Sequence, residues 1–201
     1  NVTGMTVLNN FTSVYGSAAV AAMGISQKIN MVPMQVAFGL SQGVMPLIGY
    51  NYSSRDVKRM KGTVMFTAKI SLTFLVGIAL MFFFSSEFWI RMFMSNEEIV
   101  AYGSSFLRGF CIAMPFLCMD FLAVGVFQSV GMGSKAFLFA ILRKIALEIP
   151  ALYVLNKLFP LYGLAYAQAV AEVVLAVAAV LTLRSIFNKL SCEKRQTESL
   201  E

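Results

Sequence analysis

The chain has 201 residues, of which 58% are hydrophobic and only 13% charged, with a formal net charge of +6 and a mean hydropathy of +0.74. A soluble domain carries about 45–50% apolar and about 25% charged residues, and a chain this short cannot bury such an apolar excess in one water-facing core. Composition therefore excludes an ordinary soluble enzyme and requires lipid as part of the solvent.

The predicted elements are helices. The opening residues already show an apolar pattern (Val2, Met5, Val7, Leu8, Phe11, Val14) with no basic region or cleavage site of a signal peptide. They are read as a truncated helix over about 1–15, ending at Gly16-Ser17. Since about 20 apolar residues cross a bilayer, further spans are expected at about 18–48, 62–84, 99–130, 136–158 and 161–187. The sequence 188–201 is expected to be a polar, frayed tail. Barrel strands are excluded by segment length and by unbroken runs such as Leu80-Met81-Phe82-Phe83-Phe84. The fold class is all-α, a polytopic transmembrane helical bundle.

Charge sets the expected orientation. Arg55, Lys58, Arg59 and Lys61 lie between the second and third spans, Lys135, Arg143 and Lys144 on the fourth-to-fifth side, and Arg184, Lys189, Lys194 and Arg195 at the end. The opposite connections carry Arg91, Lys157, Glu87, Glu97 and Glu98, with Phe88 and Trp89 as interface anchors. The positive-inside rule then makes the C-terminus cytoplasmic in a multi-pass cell (plasma) membrane protein. No basic block interleaved with aromatics points to nucleic acid. Cys111, Cys118 and Cys192 lack metal or disulfide spacing, and histidine is absent. No metal site, cofactor or catalytic residue is expected: there is no nucleophile–base pair, GxSxG or HExxH.

The second span holds the densest polar content. Asn30, Met34, Ser41 and Met45 share one helical face. Such a face inside a membrane lines a cavity or bonds to a neighbouring helix, and methionine suits varied apolar ligands. Gln42, Gln128 and Gln168 join the substrate-cavity candidates. Pro33 removes a backbone hydrogen bond and is a hinge candidate or a static kink, while Gly39 and Gly43 form a small-xxx-small pair for helix packing. Ionisable residues within spans are functional hypotheses by default. Asp120 is either functional or an acid hydrogen-bonded to neighbouring helices. Glu148 lies four residues after Lys144, as an internal ion pair would. Glu172 lies four residues after Gln168, and that polar face has no cation of its own helix, so Glu172 needs a partner from elsewhere.

Four stretches carry a resemblance. Gly39-Leu40-Ser41-Gln42-Gly43-Val44-Met45-Pro46-Leu47-Ile48-Gly49-Tyr50-Asn51-Tyr52, followed by a basic loop, resembles the second helix of a lobe of the multidrug and toxic compound extrusion (MATE) family. Val126-Phe127-Gln128-Ser129-Val130-Gly131, Leu142-Arg143 to Ile149-Pro150-Ala151-Leu152-Tyr153, and Tyr162-Gly163-Leu164 to Ala167-Gln168-Ala169-Val170-Ala171-Glu172 follow in the family's order. The resemblance covers nearly the whole chain and is greatest to the staphylococcal and clostridial efflux-pump branch.

It implies a six-helix C-terminal lobe of a twelve-helix transporter, partnered by an N-terminal lobe and by the lipid bilayer. It also implies antiport of small cationic amphipathic compounds against Na⁺ or H⁺, with Asp120 and Glu172 as cation-coupling candidates. Where some members carry an acid on the first helix of this lobe, this chain has Asn9 and Asn10. Other members hold the coupling acid in the first lobe, so both locations stay open. A lipid-linked oligosaccharide flippase of the same superfamily is the alternative, and it would call for a more cationic cavity.

Overall fold

Apolar segments surrounded by lipid satisfy their backbone N–H and C=O groups internally only as helices, and the observed elements obey that constraint. The computed structural model of the chain describes residues 2–159 and 163–200. These form α1 (Val2–Ser13), α2 (Ser17–Ser53), α3 (Val57–Phe84), α4 (Ser86–Phe93), α5 (Glu97–Ser129), α6 (Gly133–Ile141), a π-helical stretch (Leu142–Glu148), α7 (Ile149–Leu158) and α8 (Gly163–Glu198). Among the described residues there is no strand. Helices α2, α3, α5 and α8 are each long and apolar enough to cross a membrane. The protein is an all-α membrane bundle.

Several local features differ from expectation, each for a physical reason. The connection after the third span contains α4, a short helix whose Ile90 is fully buried while Phe88, Met92 and Phe93 are exposed. An eight-residue helix is too short for a spanning-length search to find. Trp89 packs edge-to-face against Phe82 at 5.2 Å. Helix α2 continues through both Pro33 and Pro46 without a break in the helical assignment, because neighbouring helices stabilise a proline-containing turn in a bundle. The frayed tail is helical instead: α8 runs on to Glu198, with Lys194 and Glu198 paired at 3.8 Å one turn apart. The expected start of the last span at 161 lies outside the described residues.

Helix α5 occupies the centre and touches α2, α3, α4, α6 and α8. Its Phe106 and Phe110 pack with Met23 and Ala165. Val100, Leu107 and Met114 pack with Phe82 and Ile90. Leu122, Val126 and Phe127 pack with Ile48, Met60 and Leu183. Small residues let the backbones close in, as membrane helices require. A Cβ built on Gly109 would lie 2.8 Å from Ala165 Cβ of α8, and one built on Gly125 would collide with Ser41 Oγ of α2. The small-xxx-small pair predicted for packing, Gly39 and Gly43, faces open space in this chain.

The turns are set by local chemistry. Gly16 (φ 109°) joins α1 to α2 and Gly131 (φ 79°) joins α5 to α6, both in a region that glycine enters freely. Asp56 caps α3 by accepting from Arg59 N at 3.0 Å, and Asn96 caps α5 by accepting from Glu98 N at 3.0 Å. Tyr52, Ser53 and Arg55 of the α2–α3 turn share a cavity with Glu193, Lys194 and Thr197 of α8. Two of the basic clusters thus meet at one end of the bundle. Near the other end, Arg91 grips Glu97 through two hydrogen bonds, 2.9 and 3.1 Å. Both side chains are exposed, so this pair contributes little.

The central packing yields a stability prediction. Gly109→Leu drives a branched side chain into the α8 backbone and should lower stability by about 1–3 kcal/mol. Gly77→Ala adds a methyl group to open space on α3 and should stay within about 0.5 kcal/mol of the parent. Thermal unfolding of the detergent-purified protein checks both. Equal effects at the two glycines would contradict the packing described.

Candidate functional site

The buried acids converge. Asp120 lies in the C-terminal third of α5 and is 3% exposed, and Glu172 lies on α8 and is 1% exposed. The two carboxyl groups act on each other electrostatically in the buried interior. Arg143 completes the cluster from the π-helical stretch. Its Nε stands 3.1 Å from Glu172 Oε1, with the Arg143 side chain 12% exposed. This contact is an ion pair rather than an aligned hydrogen bond, since neither group completes hydrogen-bond geometry there. The guanidinium also lies 5.1 Å from the centre of the Phe121 ring.

Local structure explains how Arg143 gets there. Pro150, in the first turn of α7, has no N–H to donate back along the helix. The preceding turns, Leu142–Glu148, widen to π geometry. A wider turn changes which residues share a face, and Arg143 then points to α8 and α5. The sequence had assigned Arg143 to the basic residues flanking a span, so its inward aim is a correction. It is also the outside partner that Glu172 required.

Phe121 is itself held in place. Ser41 Oγ of α2 donates to Phe121 O at 2.7 Å, and the Phe38 ring meets the Phe121 ring edge-on at 5.7 Å. Among the described residues no donor completes a hydrogen bond to either oxygen of Asp120 or of Glu172. A membrane-embedded cluster of two carboxyls and one guanidinium has the chemistry to accept a small cation. The Lys144–Glu148 pair expected from sequence involves a Lys144 side chain outside the described residues; Glu148 is buried.

The other candidates are more dispersed. Asn30 is buried with its Oδ1 lacking a hydrogen-bond partner among the described residues. Pro33 is buried, and Met34 and Met45 are half-buried. Ser41 is buried in the α2–α5 contact, where it bonds Phe121, and Met45 O accepts from Ser129 Oγ at 3.1 Å in the same interface. Gln42 and Gln128 are exposed and Gln168 is half-buried. Two cavities, of about 570 and 480 Å³, open beside the α2–α3 turn and along α2 and α3, and none of these residues lines either one. Sequence reasoning missed Arg143 as a site residue; the proline seven positions later was the available signal.

Comparison with known proteins places the chain. The MatE family model matches residues 1–154. The multidrug export protein MepA of Staphylococcus saprophyticus is 32% identical over 97% of this chain and 43% of its own length. MepA of Staphylococcus haemolyticus is 32% identical over 100% of this chain and 44% of its own length. The fold resembles the outward-facing conformation of a multidrug resistance MATE family transporter of the MOP superfamily. There the TM-score is 0.88 at 18% identity, over 94% of this chain and 43% of that one. The chain spans less than half the length of the curated relatives it matches. On the strength of the family model and of relatives matched along nearly all its residues, this chain belongs to the MatE family of membrane transport proteins.

Proposed function

We propose that the chain is the C-terminal lobe of a secondary antiporter that exports cationic, amphipathic drugs or toxins from the cell in exchange for Na⁺ or H⁺. The observation that carries the reading is the cluster of Asp120 and Glu172 in a membrane bundle, where Glu172 is ion-paired with Arg143 and Asp120 is buried with neither oxygen hydrogen-bonded by a described residue. A coupling cation meets that electrostatic demand on one side of the membrane and is released on the other. The relatives' names as multidrug export proteins supply the substrate class.

The partner lobe is supported by the outward face of α2. Gln35, Phe38, Gly39, Gln42, Gly43, Pro46 and Leu47 are all exposed, one after another along a single helical stripe. Glutamine side chains are costly against lipid, and glycines favour close helix approach. A second six-helix lobe set against this stripe would enclose a central cavity between the lobes, with Gln42 and Met45 near it and Pro33 available as a hinge. The gathering of basic residues at the α2–α3 turn and the end of α8 supports a cytoplasmic C-terminus in the plasma membrane. The flippase alternative wants free cations for a pyrophosphate, whereas the half-buried guanidinium of Arg143 is already paired with Glu172.

Efflux of a fluorescent cationic dye from proteoliposomes holding the complete transporter tests the reading, with Na⁺ and pH gradients imposed separately. Asp120→Asn should reduce gradient-driven efflux at least about tenfold, the loss expected when a buried group that meets the ion is removed. Coupled efflux at the parental rate would remove Asp120 from the mechanism. Residues 1–201 reconstituted alone should give no gradient-driven efflux, and finding it would refute the two-lobe arrangement.

A further inference from the structure

The cluster contains an arginine that the coupling scheme above does not use. We propose that Arg143 is a resident counter-cation: it commits Glu172 to an internal ion pair, so that the cluster draws one monovalent cation from solution and holds it at Asp120. The inference rests on the reading of Asp120 as the coupling site and assigns the two carboxyls different tasks.

Charge counting starts the argument. The charged groups acting on Asp120 are Glu172 and Arg143, with the Cys118 thiol as the further ionisable neighbour on α5 itself. Two carboxylates and one guanidinium leave one negative charge without a counter-charge. Burying such a charge among helices is costly unless a cation joins it. Arginine stays protonated in any protein environment, so its charge is a fixed part of the site and cannot be exchanged during a transport cycle. One proton or one Na⁺ neutralises what remains, and a divalent ion would overcharge it.

Geometry then assigns the partners. Arg143 Nε is 3.1 Å from Glu172 Oε1, which makes Glu172 the paired acid. The guanidinium is steadied on a second side by Phe121, 5.1 Å from the ring centre. Phe121 is anchored in turn by Ser41 through its backbone carbonyl and by the edge of Phe38. Asp120, 3% exposed, keeps both oxygens free of hydrogen bonds from the described residues. The π-helical stretch is what delivers Arg143 to this position, so the widened turn before Pro150 sets the charge of the site.

The test uses the complete transporter in proteoliposomes, with initial dye efflux measured against the concentration of the driving cation. Separate Na⁺-gradient and pH-gradient arms identify which cation is taken. Arg143→Gln leaves Glu172 unpaired and should shift the half-saturating cation concentration about tenfold or more. Glu172→Gln frees the guanidinium to occupy Asp120 and should suppress cation-driven efflux by at least a similar, roughly tenfold factor. Arg143→Gln combined with Glu172→Gln removes the internal pair as a unit and should bring the half-saturating concentration back to within about threefold of the parent. Arg143→Lys, which keeps the charge, should stay inside the same margin of about threefold. Size-exclusion profiles confirm that each variant is folded.

A folded Arg143→Gln variant with parental half-saturation and maximal rate overturns the proposal, as does a folded double variant no better than the worse single one. Asp120→Asn separates the two levels. If it leaves coupled efflux intact, the coupling site itself is misassigned. If it abolishes coupling while the double variant fails to recover, only the role of Arg143 falls.

Discussion

The close approach of α5 to α8 and α2 positions the buried charged cluster of the bundle. Gly109 admits Ala165 of α8, and Gly125 admits Ser41 of α2. With larger side chains there, α8 and α2 would stand off, drawing Glu172 away from Asp120 and Ser41 away from the Phe121 carbonyl. Within a membrane there is no differential hydrophobic drive between helices, so contact distance and interhelical hydrogen bonds decide the packing. The central helix therefore both organises the core and sets the geometry of the charged cluster.

That cluster follows from two local departures from regular structure. A proline in the first turn of α7 precludes one helical hydrogen bond, and the turns before it take π geometry. The result is a guanidinium turned inward instead of toward the membrane surface. An acid–base set buried this deeply lowers stability unless it is fully paired. In the proposed scheme it is one positive charge short, a structural cost that a cation-driven cycle would use.

The outward stripe of α2 gives the complementary half of the picture. Its glutamines and glycines are neither packed within this chain nor suited to lipid. Ser41, only a short step around the same helix, is spent on holding α5. One helix thus serves the interior of the lobe with one face and presents a polar, small-residue surface with the other.

Much of this was legible in the residues alone. Apolar run length and the absence of alternation determined a helical membrane bundle, because a bilayer leaves a buried backbone few alternatives. The ordered stretches around Gly39–Tyr52 and Gln168–Glu172 pointed to the family, and the lack of a cation on the face of Glu172 required a partner from another helix. What the sequence could not supply was which helix. Arg143 looks like a flanking cation because helical periodicity assumes regular turns, and the π geometry before Pro150 breaks that assumption. The short α4 and the helical continuation to Glu198 escaped for a related reason: neither depends on spanning-length hydrophobicity. Hydrophobic pattern is a local property and settled the architecture. The pairing of Asp120, Glu172 and Arg143 is a contact among three separate helical segments, and only tertiary packing could decide it.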